Sequence, residues 1–317
     1  MAVKVLLFGD IGIDDTVALM YGYFKDEIDI VGVVADYGNI PRKRAVRSVR
    51  YLSRLLGISE DEVKIIGGAE LPLTGTEPTY FPEIHGEYGL GPIIPPHLPD
   101  GTIENFFEII DIIKKYQNEL IIVNISRLTS LATMFVLYRH LMQKVQSIYI
   151  MGGAFWVPGN VTAVSEANFY ADPIAAKTVL NHAQRVTIIP LNVTQKAVIT
   201  PQMVDYIAHK GKAKIIKPLM DYYYNFYKKR NPLIQGSPVH DALTLMATVH
   251  EEMFGFSYLP VEIVQDPHGV AKGQSLADIR PYLNPKNKKG KIHRIAFTLD
   301  YSRFYNDFMS VMTGERF

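Results

Sequence analysis

Near its start the chain reads Val3-Lys4-Val5-Leu6-Leu7-Phe8-Gly9-Asp10-Ile11-Gly12-Ile13-Asp14-Asp15-Thr16-Val17-Ala18-Leu19-Met20. Val3 to Phe8 is a short, nearly continuous apolar run, which reads as a strand covered on both faces. Thr16 to Met20 begins a helix, and Gly9 to Asp15 joins the two. A strand, a glycine-containing turn and a helix in immediate succession form the first half of a crossover unit in a parallel sheet.

Further strands are expected at Ile28 to Val34, Val63 to Ile66, Leu120 to Ile125, Ser147 to Met151 and Val186 to Leu191. Between them apolar residues recur at helical spacing, as in Val46, Val49, Leu52 and Leu56, and in Phe106, Ile109, Ile110 and Ile113. Asp172 before Pro173 reads as an N-cap and first-turn proline opening a helix over Ile174 to Asn181. The expected architecture is therefore α/β: an open, mostly parallel, Rossmann-like sheet with helices on both faces.

At 317 residues the chain is long enough for two domains of about 150 residues. No repeat, low-complexity tract or Ser/Gly linker divides it, so a single domain over 1–317 is expected. The Pro92 to Pro99 loop and the basic run Lys286, Lys288, Lys289, Lys291 read as surface connections. The run has no interleaved aromatics for stacking on bases.

Composition excludes several function classes. Lys+Arg is 33 against Asp+Glu 32, with 48% apolar residues, so no basic excess calls for nucleic acid or an anionic membrane. Cysteine is absent, which removes thiol nucleophiles, cysteine-bound zinc and iron–sulfur clusters. The apolar run Val5 to Phe8 is too short for a signal-peptide core, and no stretch approaches the about 20 residues of a membrane span. A cytoplasmic protein is expected.

In open α/β sheets ligands bind beyond the carboxyl ends of strands, where Asp10, Asp14 and Asp15 fall. Carboxylates this close repel one another, and burial raises the cost unless protons or a cation neutralise them. A hard divalent ion such as Ca²⁺ or Mg²⁺ meets that need through oxygen ligands. The competing reading is a capped helix with acids at its positive end. Pro238-Val239-His240-Asp241-Ala242 adds a carboxylate and an imidazole at a second helix start. Met151-Gly152-Gly153, Pro158-Gly159-Asn160 and Glu166-Ala167-Asn168 add glycines that permit close backbone approach and polar groups suited to a polyhydroxylated ligand.

Taken together these segments resemble the inosine-uridine-type nucleoside hydrolases, calcium-dependent N-ribohydrolases with an open α/β fold of their own. The likeness runs from Asp10 to Asp15 through Gly38-Asn39, His85-Gly86, Leu128-Thr129, Gly159-Asn160, Glu166 to Asn168, His240-Asp241 and Lys272-Gly273-Gln274. It implies that Asp10, Asp15, Asp241 and the Ile125 carbonyl bind Ca²⁺, with Asp14 as general base on a metal-bound water. Asn39, Asn160, Glu166 and Asn168 would hold the ribose hydroxyls. His240 would protonate the leaving base, and His85, Tyr223 and Tyr227 would line the pocket. The implied reaction is hydrolysis of the N-glycosidic bond with inversion at the anomeric carbon, in a homo-oligomer, dimer or tetramer.

The chemistry agrees with that pattern. Breaking an N-glycosidic bond places positive charge on the sugar, which carboxylates stabilise, and negative charge on the departing base, which a proton relieves. The chain departs from the family at Phe8, where a carboxylate is usual, at Asn192, where Asp is frequent, and at Ala167, where a bulkier apolar residue is common. Trp156, the sole tryptophan, is not placed for stacking on a purine. Two rivals remain at this stage. A phosphatase of the haloacid dehalogenase type needs an acid two residues after its nucleophile, and Gly12 stands there after Asp10. The other is a non-catalytic nucleoside- or ribose-binding protein that retains the metal site.

Overall fold

The computed structural model describes residues 2–59, 62–96, 104–211, 214–280 and 290–317. The end of the Pro92 to Pro99 loop and three lysines of the basic run, Lys286, Lys288 and Lys289, lie outside them. Strand β1 (Val3–Gly9) leads into α1 (Ile13–Phe24), followed by β2 (Ile28–Ala35), α2 (Arg42–Leu55) and β3 (Lys64–Gly67). Helices α3 (Pro82–His85) and α4 (Glu108–Lys115) precede β4 (Leu120–Asn124), α5 (Thr129–Met142) and β5 (Ser147–Met151). Next come α6 (Ala167–Ala171), α7 (Pro173–His182), β6 (Val186–Ile189), α8 (Leu191–Thr194) and β7 (Val198–Ile199). They are followed by α9 (Pro201–Lys210), α10 (Ile216–Arg230), β8 (Ser237–Pro238) and α11 (His240–Met246). β9 (Phe254–Ile263), β10 (Ser275–Ala277), β11 (Lys291–Leu299) and α12 (Tyr301–Thr313) complete the order.

Nine strands form one sheet in the order β3-β2-β1-β4-β5-β6-β11-β9-β10, and β7 pairs with β8 apart from it. From β3 through β11 neighbouring strands are parallel, whereas β9 runs antiparallel to both β11 and β10. β1 shows why its sequence reads as a continuous apolar run. Val5 and Leu7 enter the core on one face of the sheet, Leu6 and Phe8 the core on the other. Alternate side chains of a strand point to opposite faces, so a strand covered on both sides must be apolar throughout.

The six expected strands are all present, with ends shifted by a residue or two. Phe106 precedes α4 rather than forming part of it. Strands β9, β10 and β11 were not expected, nor was the short pair β7 and β8. In β9, buried Val261 and Ile263 occur beside Gly255, Ser257, exposed Tyr258 and Pro260, the mixed composition of a sheet margin with one solvated side.

The chain leaves β1 towards β2 and β3, then returns to pair β4 on the other side of β1. That reversal opens a crevice beyond the carboxyl ends of β1 and β4, the usual ligand site of such sheets. α11 packs along α1, which brings a segment more than two hundred residues distant to the same crevice.

Candidate active site

The Gly9 to Asp15 turn concentrates charge by the way it starts α1. Asp15 is the third residue of the helix and turns back on the turn before it. Its Oδ2 accepts from the Gly12 amide at 2.7 Å and its Oδ1 from the Asp10 amide at 3.1 Å. This satisfies amides that a helix start leaves unpaired. Gly12 is required by proximity: a Cβ there would lie 2.5 Å from His85 Nδ1 and 2.6 Å from Asn39 Nδ2.

Helix capping is thus real, but it accounts for Asp15 alone. Asp14 and Asp241 line a cavity of about 140 Å³ together with Asp10. One oxygen from each of Asp14, Asp15 and Asp241 lies within 4.8 Å of the others, and all three residues are buried. Asp14 Oδ1 is buried with no hydrogen-bond partner. Burial pushes the Asp14 carboxyl up to about 6, against hydrogen bonds that favour its charge. Burial also raises Asp15 and Asp241 well above the ordinary range, and the neighbouring aspartates add to the rise. An all-oxygen donor set that resists being charged by itself, with one oxygen left without a partner, fits a hard divalent cation.

Asp10 is engaged differently. Its Oδ2 accepts from the Asn39 amide at 2.6 Å and from the Arg127 guanidinium. Arg127 is buried, follows β4, and also donates to Asn168 Oδ1 at 3.2 Å. Nothing in the sequence motifs pointed to Arg127. The one clue was electrostatic, since clustered buried acids require a nearby cation. The Ile125 carbonyl borders the same cavity and accepts from Asn168 Nδ2 at 3.3 Å.

Asn168 also donates to the Met151 carbonyl at 3.1 Å, so one amide spans the ends of β4 and β5. Glu166 caps α6: its carboxylate accepts from the amides of Asn168, Phe169 and Gly153 at 2.7, 3.1 and 3.0 Å. Burial still raises its pKa despite those three donors. Asn160 is exposed and accepts from the Ala167 amide at 3.0 Å. Asn39 Nδ2 donates to Asp15 at 3.2 Å. Asn39, Asn160, Glu166 and Asn168 therefore all border the cavity, although they start on different strands and loops.

His85 and His240 line the cavity as neutral imidazoles. Burial lowers His85 to about 3 and His240 to about 4. His85 Nδ1 accepts from the Ile13 amide at 3.1 Å, which leaves its proton on Nε2. His240 Nδ1 pairs with Thr194 Oγ1 at 2.8 Å, so Nε2 is the nitrogen left for a ligand. The aromatic run on α10 divides. Tyr227 lines the cavity, whereas Tyr223 lies behind it, fully buried, with its ring 5.6 Å from that of His85 and its hydroxyl 3.5 Å from the Tyr227 hydroxyl. Phe81, Ile84 and Arg230, which the sequence did not single out, also line the cavity.

The family profile described as "Inosine-uridine preferring nucleoside hydrolase" matches residues 5–306. The chain belongs to that family. It is 27% identical to the inosine-uridine preferring nucleoside hydrolase of Crithidia fasciculata, over 96% of both chains. To uridine nucleosidase 1 of Arabidopsis thaliana it is 28% identical, over 87% of this chain and 82% of the relative. The solved purine-preferring ribonucleoside hydrolase from Gardnerella vaginalis superposes with a TM-score of 0.88 at 28% identity, covering 98% of each chain.

As a member of the family the chain is an N-glycosyl hydrolase, and the haloacid dehalogenase reading is set aside. Its departures from the family pattern each have a local environment. Phe8 is fully buried in the core on the far face of β1, away from Val5 and Leu7. Asn192 uses both halves of its amide on Phe155, accepting from its N–H at 3.0 Å and donating to its carbonyl at 2.8 Å. A carboxylate could not make the second bond. Ala167 lies between Glu166 and Asn168 on the cavity wall. Trp156 is exposed and stacks on Phe297, 5.4 Å between ring centres. No helix among the described residues is long and apolar enough to cross a membrane.

Proposed function

We propose that this protein hydrolyses ribonucleosides to free base and ribose, with a calcium ion in the aspartate cluster and Asp14 as general base. The observation that carries this is the buried, unpartnered Asp14 Oδ1 within the convergence of Asp14, Asp15 and Asp241. The ion, held by Asp10, Asp15, Asp241 and the Ile125 carbonyl, would supply Lewis acidity to the attacking water and to the sugar diol.

The chain's own groups do the rest. Asn39, Asn160, Glu166 and Asn168 hold the sugar hydroxyls and fix the ring over the carboxylates. Asp14, raised to about 6 by burial, takes the water's proton near neutral pH. Water attacks from the carboxylate side and the base leaves towards Tyr227 and His240, so configuration at the anomeric carbon inverts. His240, neutral at pH 7, donates a hydrogen bond from Nε2 to the departing base. His85, with Nε2 protonated, orients the substrate at the same end. Tyr223 supports Tyr227 from behind through their hydroxyl contact. The same proposal has the enzyme act in the cytoplasm as a single-domain homo-oligomer, a dimer or tetramer.

The test is a panel of purine and pyrimidine nucleosides in ribo and deoxyribo forms, read as free sugar, with calcium and with chelator. Ribonucleosides should be split and deoxyribonucleosides poorly, because the latter lack one hydroxyl of the diol. Chelation should abolish both activities. Tight ribonucleoside binding without any sugar release in saturating calcium would establish the non-catalytic binding reading instead.

A further inference from the structure

A second cavity, of about 270 Å³, adjoins the first and shares Phe81, Arg127, Val161 and Ala167 with it. Its lining includes none of His240, Tyr227 and Arg230. Two of the shared residues, Val161 and Ala167, directly follow Asn160 and Glu166 in the chain. The wall between the chambers includes Ala167, which carries no atom beyond Cβ to block passage.

We propose that this second chamber receives an anionic substituent on the exocyclic carbon, C5′, of the sugar, so that 5′-phosphorylated ribonucleosides are substrates. The proposal rests on the nucleoside hydrolase reading above. With the base towards His240 and Tyr227 and the diol towards the carboxylates, C5′ is the sugar carbon left to carry a group away from both.

The lining sets the charge of that group. Lys272 stands over the Tyr170 ring, its Nζ 4.5 Å from the centre, and among the described residues no carboxylate pairs with it. Arg127 lies on the shared wall, already occupied by Asp10 and Asn168. Glu77, exposed on the rim, is the one acidic residue of the lining. Lys272 is therefore the cation free to meet a ligand, and an ammonium without a counter-ion in a partly enclosed chamber favours an anion. The hydroxyl-bearing Thr76 and Thr79 on the same lining can serve further phosphate oxygens.

The experiment compares a ribonucleoside with its 5′-monophosphate and its neutral 5′-O-methyl ether, in calcium, on the wild type, Lys272→Glu and Ala171→Leu. Ala171 borders only the second chamber, so the leucine fills it without facing the first. For the wild type, the monophosphate should be split with kcat/KM at least equal to that of the nucleoside. Lys272→Glu should lower kcat/KM on the monophosphate by about tenfold or more, the loss of one charge-assisted contact, while leaving nucleoside and ether unchanged. Ala171→Leu should impair monophosphate and ether alike and spare the nucleoside.

A wild type that splits the nucleoside but not its monophosphate overturns the proposal and leaves the catalytic reading standing. Equal losses on monophosphate and ether in Lys272→Glu overturn the charge assignment. If neither substrate releases base the catalytic reading falls, and the chamber is then judged by calorimetric binding of the monophosphate. Tighter binding than the nucleoside, lost in Lys272→Glu, sustains it, and equal binding ends it.

Discussion

At its first turn α1 carries Asp14 and Asp15 into a pocket shared with Asp10 and Asp241, where Arg127 is the cation that pairs with a carboxylate. At its other end Tyr21 and Lys25 meet Asp307 of α12, with hydroxyl and ammonium 2.5 and 2.6 Å from its two oxygens. His250 Nε2 adds a third contact at 2.9 Å. Burial works against charge at both places, yet the outcomes are opposite. The hydrogen bonds from His250, Lys25 and Tyr21 outweigh burial and hold Asp307 at about 2. Burial lifts Asp14 to about 6, with the Asp10 charge adding to the rise and no cation set against it. One end of the helix is complete in that its carboxylate is paired with cations; the other is left short of positive charge, as a cation site must be. The lesson is that burial alone does not mark a functional acid, whereas a buried carboxylate oxygen left unpartnered, as Asp14 Oδ1 is, does.

The largest effect should come from breaking the incomplete end. Asp14→Asn is expected to lower kcat by about 10³-fold, within the range of a lost general base. It should also raise the thermal midpoint of the metal-free protein, since one repelling carboxylate is gone. A large fall in that midpoint would mean that Asp14 is structural, like Asp307.

His240→Ala should lower turnover on an unactivated nucleoside by about 10²-fold while nearly sparing a substrate with a good leaving group. Kinetics on the two substrates measure this, and equal losses would remove the leaving-group role.

The complete end gives the converse result. Asp307→Asn removes the charge that three donors share and should destabilise the fold by about 2–4 kcal/mol in denaturant titrations. Its kcat should be unchanged, because the network faces α12 and not the cavity. Loss of activity in the folded variant would contradict the separation drawn between the two ends.

The smallest effect is in pH dependence, and its sign differs between the ends. A carboxyl raised to about 6 in the folded state stabilises the fold in its protonated form, so that stability is lost as pH rises through 6. A carboxyl held at about 2 contributes stability that is lost only as pH falls towards 2. The metal-free protein should therefore melt lower at about pH 8 than at about pH 5, and added calcium should recover more at the higher pH. His250, raised by Asp307, acts in the same direction without calcium, so the calcium-dependent difference isolates the site. A calcium effect of equal size at both pH values would break the assignment.

Much of this could be read from residue order. The apolar run to Phe8, the glycine turn and the acids at Asp10, Asp14 and Asp15 are adjacent in the chain, and local periodicity sets strand and helix there. Asp172 before Pro173 started α7 as expected, its side chain capping the Ala175 amide at 2.9 Å. The margin strands β9 to β11 escaped because a half-solvated strand has weak apolar contrast. Tyr223 and Tyr227 are one helical turn apart and look equivalent in sequence, but only Tyr227 reaches the cavity, with Tyr223 buried behind it.

What residue order by itself determined, then, was the sheet, the acidic turn and the kind of chemistry oxygen donors permit, all of which depend on neighbours along the chain. Only the tertiary structure decided that Arg127 takes Asp10, that His240 faces the cavity as a neutral ring, and that a second chamber opens beside Ala167. These depend on distances between segments remote in sequence, which are set by the packing of α11 on α1 and of loops across β1 and β4. Pairwise electrostatics falls off with distance and depends on burial, so no linear motif can encode it.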